Sequence, residues 1–580
     1  MEKRLAIALI LSIAFMAVWW TIFPPPSRPS VPPNGEQAEG AGSGVAAGDG
    51  PAAAGPGETV ADGERATPAA MTGPAAPTGE SVSAEAEETI EVETPLYTAR
   101  FTNRGARVTS WRLNRYLDDH GEPLELVSAA GRKLDLLPLQ LALDDEQASR
   151  ALGHGLYRFS RSEAPGGEGA PVSTIVFRYA DVAGNSAIKT IRLPHDSYLA
   201  TLEVSAHEAG HPATPAVIWG AGFGTHTGLE TDRFEDAAGA VVEVAGKVET
   251  RGQQQVKPDA PWTTGGTISW AGVTDKYFAA VLIPDTPASG QARLESLRLV
   301  EEGREKFFPS LTLNLPETSQ YELFVGPKDY DILKTAGHGL DRLLNFGFFS
   351  VVALPLFYAL KFVNDYTRNF GWAIVLLTVA IRLLFFPLMH RSQVGMRKMQ
   401  EKMKVVNPRV KALRERYRKL ERKEVEKGTG RRHQVRQKMN EEMMGIYKEA
   451  GINPMGQLTG CLPLLLQMPI LYGFYTILSI AIELRKAPFL FWVQDLSRKD
   501  PYFITPIIMG VTMLIQQMMT SSSIPDPAQR RIMYIMPVMF TYFFVHFPSG
   551  LVLYWLVNNL LGIAQQYLIN RHVAAESNAA

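Results

Sequence analysis

A chain of 580 residues is too long for one hydrophobic core, and its net charge of -1 conceals strong local asymmetry. The 49 glycines and 39 prolines cluster rather than spread, which marks a linker. A single cysteine, Cys461, excludes a disulfide framework within the chain and leaves the redox compartment unreadable from pairing.

Glu2, Lys3 and Arg4 precede an apolar run from Leu5 to Phe23. Pro24-Pro25-Pro26 follows without a small-x-small cleavage site, so residues 1–23 read as an uncleaved transmembrane anchor rather than a cleaved signal peptide. Its N-terminus is expected in the cytoplasm. Residues 24–91 are rich in Pro, Gly, Ala, Ser and Glu and lack an apolar period, which predicts a disordered linker. From Val92 the pattern alternates: Ile175, Phe177 and Tyr179; Tyr198, Ala200, Leu202 and Val204; Leu311, Leu313 and Leu315; Tyr321, Leu323 and Val325. Turn signals at Gly184-Asn185, Pro194-His195-Asp196 and Gly265-Gly266 separate these strands, and residues 92–330 read as a large β-sandwich. Trp262, Trp270 and Tyr277 are either core and rim residues of this domain or the lining of a ligand cleft.

Residues 338–362 predict an amphipathic helix lying on the outer membrane surface, followed by a polar turn at Asn364–Arg368. A full extra span is the alternative, and it would move everything downstream to the opposite side. Residues 368–390 form the second predicted span, with Arg382 inside its apolar run. Residues 391–450 carry nineteen Lys or Arg against eight Asp or Glu, which holds this segment on the cytoplasmic side and favours the surface helix. Met396, Met399, Met403, Val406, Val410, Leu413, Tyr417 and Leu420 recur at helical spacing. They predict a helical hairpin, with Asn407-Pro408 resetting the first arm and Lys427–Arg432 breaking it. Pairing of the arms needs fewer bases than this. Lys411, Arg414, Arg418 and Lys419 therefore become candidate contacts for anionic headgroups or RNA, with Arg530 and Arg531 in the later inner loop 521–531.

Four further spans are expected at 460–482, 502–520, 532–547 and 550–569, with a cytoplasmic tail at 570–580. Polar residues recur inside them: Thr378 one turn before Arg382, Gln467, Gln516 and Gln517, and the stripe Tyr554, Asn558, Gln565 with Gly562 between. In lipid such groups require protein or water partners. A transporter would add a repeated half, and a channel a ring of such residues. No spacing of His and carboxylates suggests a metal, and GxSxG, HExxH and GxxxxGK[ST] are absent, so neither cofactor nor enzyme chemistry is expected. His390 and His546 lack credible partners in the sequence, and Cys461 reads as packing filler.

TVAIRLLFFPL around Arg382, INPMGQLTGCLPLLLQMPILYGFY from Ile452, APFLFWVQDLSRKDPYFITPIIMGVTM from Ala487 and FPSGLVLYWLVNNLLGIAQQYLI from Phe547 resemble the YidC/Oxa1/Alb3 family of membrane protein insertases. In layout they resemble its Gram-negative bacterial type. The resemblance covers residues 338–572 and, more loosely, the anchor and the β domain. It implies a polytopic α-helical protein of the bacterial inner membrane, with six spans, five of them forming the core. A periplasmic β-sandwich, a cytoplasmic helical hairpin and cytoplasmic termini complete the layout. It also implies an insertase and chaperone with a hydrated inner-leaflet groove walled by Arg382, Thr378, Gln467, Gln516, Gln517, Tyr554 and Asn558. The implied partners are nascent inner-membrane proteins, the Sec translocon, the ribosome and anionic phospholipids, with the chain working as a monomer. A non-inserting assembly partner of the secretion channel and a solute transporter are the alternatives. Two features depart from the pattern: extra charge near Glu424–His433, and a tail, Val573–Ala580, without a basic run.

Overall fold

The computed structural model describes residues 81–166, 169–224, 238–347, 350–426, 432–452, 462–521 and 527–579. The expected anchor at 1–23, most of the linker, Cys461 and the hairpin tip at 427–431 lie outside the described residues.

The β domain begins earlier than expected. Val82 bridges to Ala180, and strand β1, Thr89–Glu93, pairs antiparallel with β2, Tyr97–Thr102. The predicted linker to residue 91 is thus shortened, because Ile90 and Val92 are buried. β1 and β2 join Arg107–Leu117 and Pro123–Glu125 in a four-stranded sheet. A second, much larger antiparallel sheet holds the remaining strands, and one continuous core joins the two layers. Tyr97 stacks on Trp111 at 4.8 Å, and Phe101 meets Phe177 at 6.4 Å. The expected alternation holds at Ile175 and Phe177, at Ala200, Leu202 and Val204, and at Leu311 and Leu313. Trp270 is buried in the core, and Trp262 sits half-buried under Arg251 at 5.8 Å.

Among the described residues the helices in chain order are α1 Ala129–Lys133, α2 Glu146–His154, α3 Tyr330–Ala336, α4 Ser350–Thr367, α5 Phe370–Glu426, α6 Arg432–Glu449, α7 Leu462–Ile480, α8 Ile504–Ser521, α9 Pro527–Phe544 and α10 Ser549–Ala579. Several boundaries correct the expectations. The predicted surface helix starts at Ser350 rather than 338, because Gly347 takes a left-handed φ of 67°. It then runs through the supposed turn, and the chain reverses only at Arg368, with φ 51°. Asn369 caps the next helix, its side-chain oxygen accepting from the Trp372 N–H at 3.1 Å.

The predicted second span and first hairpin arm are one helix of 57 residues, about 85 Å long. Asn407-Pro408 does not reset it. An interior proline costs roughly 3 kcal/mol, and packing offsets that cost here. Val406 and Val410 bury against Tyr447 and Ile452 of the returning arm, and Tyr417 donates to Glu442 at 2.6 Å. Arg531 belongs to α9 rather than to a loop, and α10 continues through the supposed tail. Among the described residues, Phe370–Lys423 is long and apolar enough to cross a bilayer, and shorter apolar helices cover Ile504–Met519 and Met533–Phe544.

The loop between α7 and α8 ties the β domain to the helices. Arg485 donates to the Leu117 carbonyl at 2.8 Å, and Lys486 donates to that of Asp118. Arg498 reaches Asp119 at 3.3 Å. The same loop closes the N-terminus of α10, whose first N–H groups would otherwise lack acceptors. Ser549 N–H donates to the Arg498 carbonyl at 2.7 Å and Gly550 N–H to that of Leu496 at 2.9 Å.

Candidate functional site

Three helices converge on a small, partly open cleft. α5 contributes Thr378, Ile381, Arg382, Phe385 and Met389, which share one face at helical spacing. α7 contributes Gln467 and Ile470, and α10 contributes Tyr554 and Asn558. Five of the seven groove residues expected from sequence therefore meet in one place.

Tyr554 is fixed at the back of the cleft. It is 1 % exposed, stacks on Phe474 at 4.5 Å and accepts a hydrogen bond from the Gln467 amide. Thr378 is also buried, but its hydroxyl donates to the Ile374 carbonyl of its own helix at 2.6 Å. Thr378 thus supplies shape rather than a free donor. Gln516 approaches from α8, and its amide converges with the Arg382 guanidinium on Gly562. Gln517 does not line the cleft, and its amide nitrogen is buried without a hydrogen-bond partner among the described residues.

Arg382 is the charged element. Nη2 donates to the backbone carbonyl of Asn558 at 3.2 Å, while Nε is buried with no partner among the described residues. Among the described residues no carboxylate lies at ion-pair distance from it. A guanidinium has five donors, so this one retains hydrogen-bonding capacity toward the cleft. The apolar lining residues Ile381, Phe385, Met389 and Ile470 escaped the sequence reading, although the 3.6-residue period through Thr378 and Arg382 already marks the α5 positions. Outside the cleft, Leu383, Leu384, Ile507, Val538 and Tyr542 are exposed. So broad an apolar surface suits lipid rather than water.

On the hairpin, Lys411, Arg418 and Lys419 are exposed. Arg414 is half-buried, with its guanidinium 3.9 Å from the Met443 sulfur, so part of it serves pairing of the arms. Arg531 is exposed, whereas the side chain of Arg530 lies outside the described residues.

Family models match nearly the whole described chain: the YidC periplasmic domain over residues 89–359 and the 60Kd inner membrane protein over residues 362–576. A membrane protein insertase YidC of Citrifermentans bemidjiense is 36% identical, covering 99% of this chain and 100% of its own length. The chain belongs to the YidC family of membrane protein insertases. Relatives of the same name from Syntrophus aciditrophicus and Geobacter metallireducens are 36% and 34% identical over 84% and 99% of this chain, and 86% and 99% of their own. In this family the β-sandwich is the periplasmic domain of an inner-membrane protein, and the activity is insertion of membrane proteins rather than an enzyme reaction.

Proposed function

We propose that the cleft between α5, α7 and α10 is the receiving groove of the insertase, and that Arg382 draws the polar tail of a client into it. One observation carries this reading: among the described residues, Arg382 is held by a single backbone carbonyl, with no carboxylate to consume its charge. A positive charge in a low-dielectric wall attracts acidic residues of an incoming tail. The apolar part of the client then moves into lipid, gaining roughly 25 cal/mol for each Å² of apolar surface removed from water. No nucleotide is required.

Six spans fit this scheme: the anchor at 1–23, α5, α7, α8, α9 and α10. With the periplasmic domain outside, both termini and the α5–α6 hairpin lie in the cytoplasm. Only about 20 residues of α5 are needed to cross the bilayer, so the remainder projects toward the cytoplasm. The projecting bases Lys411, Arg418 and Lys419, with Arg530 and Arg531, are proposed contacts for a ribosome or anionic phospholipid. The chain acts as a monomer, alone or beside the Sec translocon.

A photo-crosslinker at Ile381 or Phe385 in the cleft, and at Leu384 on the exposed face, tests the groove. Stalled single-span clients should crosslink through their polar tails at the first two positions and not at the third. Equal crosslinking at all three would overturn the reading.

A further inference from the structure

We infer that Gly562 is a positioning residue for insertion: its missing side chain is the slot that holds the Arg382 guanidinium against α10. The inference rests on the reading of the cleft as the receiving groove. Gly562 lies one turn beyond Asn558 and two beyond Tyr554, on the same face of α10. A Cβ at 562 would lie 2.6 Å from Gln516 Nε2 and 3.0 Å from Arg382 Nη2. The same Nη2 donates to the Asn558 carbonyl at 3.2 Å. A helical side chain covers the turn N-terminal to its own Cα, so one at 562 would cover the carbonyl that Arg382 uses.

Other glycines in the helical half show the contrast. A Cβ at Gly371 would strike the Phe489 ring, and one at Gly550 would meet Leu478 at 2.5 Å and the Leu496 carbonyl at 3.1 Å. Those positions serve close packing. At Gly562 the nearest atoms are only the ends of two flexible polar side chains. Alanine there displaces Arg382 and Gln516 without moving backbone. It should also favour the helix, because glycine is a poorer helix former than alanine.

The test is a double-mutant cycle in reconstituted vesicles, using a single-span client with a neutral or an acidic translocated tail. Gly562→Ala should lower acidic-tail insertion by about threefold or more and neutral-tail insertion by less than about twofold, with the melting temperature unchanged or raised. Adding Gln516→Ala should recover much of the loss, since the guanidinium regains room. In an Arg382→Ala background, Gly562→Ala should have no further effect. An equal loss in that background, no loss with the acidic tail, or a fall in melting temperature that Gln516→Ala does not relieve would each overturn the role of Gly562 while the groove reading stood. If Arg382→Ala itself spared acidic-tail insertion, both would fall.

Discussion

A buried cation of the β domain and a half-buried cation of the helical half are held in opposite ways. Lys189 lies in the β-domain core at 0% exposure, and its ammonium donates to the carbonyls of Gly105 at 2.9 Å, Ala106 at 2.9 Å and Leu139 at 2.6 Å. Burial pushes its pKa well below that of a free lysine, yet each of its three N–H groups has an acceptor. Among the described residues, Arg382 has one carbonyl for five donors, and it faces a cleft. A buried charge with every donor satisfied fixes a fold, whereas one left partly satisfied can bind. The comparison marks Lys189 as structural and supports the proposed role of Arg382 in the groove.

The largest effect should come from breaking the satisfied site. Lys189→Met leaves three buried carbonyls without their donor, and should cost roughly 3–5 kcal/mol of β-domain stability. Hydrogen exchange at residues 104–107 and 139–141 would register it as lost protection. Retained protection would mean that Lys189 is not a structural clamp.

Surface bases offer a third case, with charge that packing barely uses. Neutralising Lys411, Arg414, Arg418 and Lys419 together should weaken binding to anionic vesicles or translating ribosomes by up to about 1 kcal/mol per base. Arg414 should contribute least to binding and most to hairpin pairing, given its contact with Met443. Co-sedimentation at physiological salt is the measurement, and unchanged affinity for both partners would return the segment to simple helix pairing.

The junction between the halves supplies the smallest effect. Burial pushes the Glu483 carboxyl up to about 7 from 4.5, with Asp329 and Asp331 adding to the rise and Lys361, at 3.6 Å, opposing it. A carboxyl with a raised folded-state pKa contributes stability below its unfolded pKa and loses it as pH rises through the folded one. The junction should therefore be more protected at pH 5 than at pH 8, by at most roughly 3 kcal/mol. Glu483→Gln should flatten that dependence in hydrogen exchange over residues 481–486. An unchanged slope would assign it to another group.

Much of this organisation was legible in the residues. Period-2 alternation located Ile175–Phe177 and Leu311–Leu313, and helical spacing joined Thr378 to Arg382 and Tyr554 to Asn558. Phe278–Pro284 was not legible that way, because the whole strand is buried and shows no alternation. Pro408 misled because a local break signal carries no information on the partner helix that compensates it. Gln517 misled for a related reason: it adjoins Gln516 in sequence, but successive helical residues point about 100° apart and only Gln516 reaches Gly562.

The most direct test of the central claim varies the charge of Arg382 and of the client together. Purified wild type, Arg382→Lys and Arg382→Ala, reconstituted at matched levels, would each insert one single-span client carrying a neutral and then an acidic translocated tail. Arg382→Lys should retain most insertion, because charge matters more than the fork when no bidentate partner is present among the described residues. Arg382→Ala should lose about an order of magnitude with the acidic tail and far less with the neutral one. Equal handling of both tails by Arg382→Ala and wild type would contradict the account and make Arg382 a headgroup anchor.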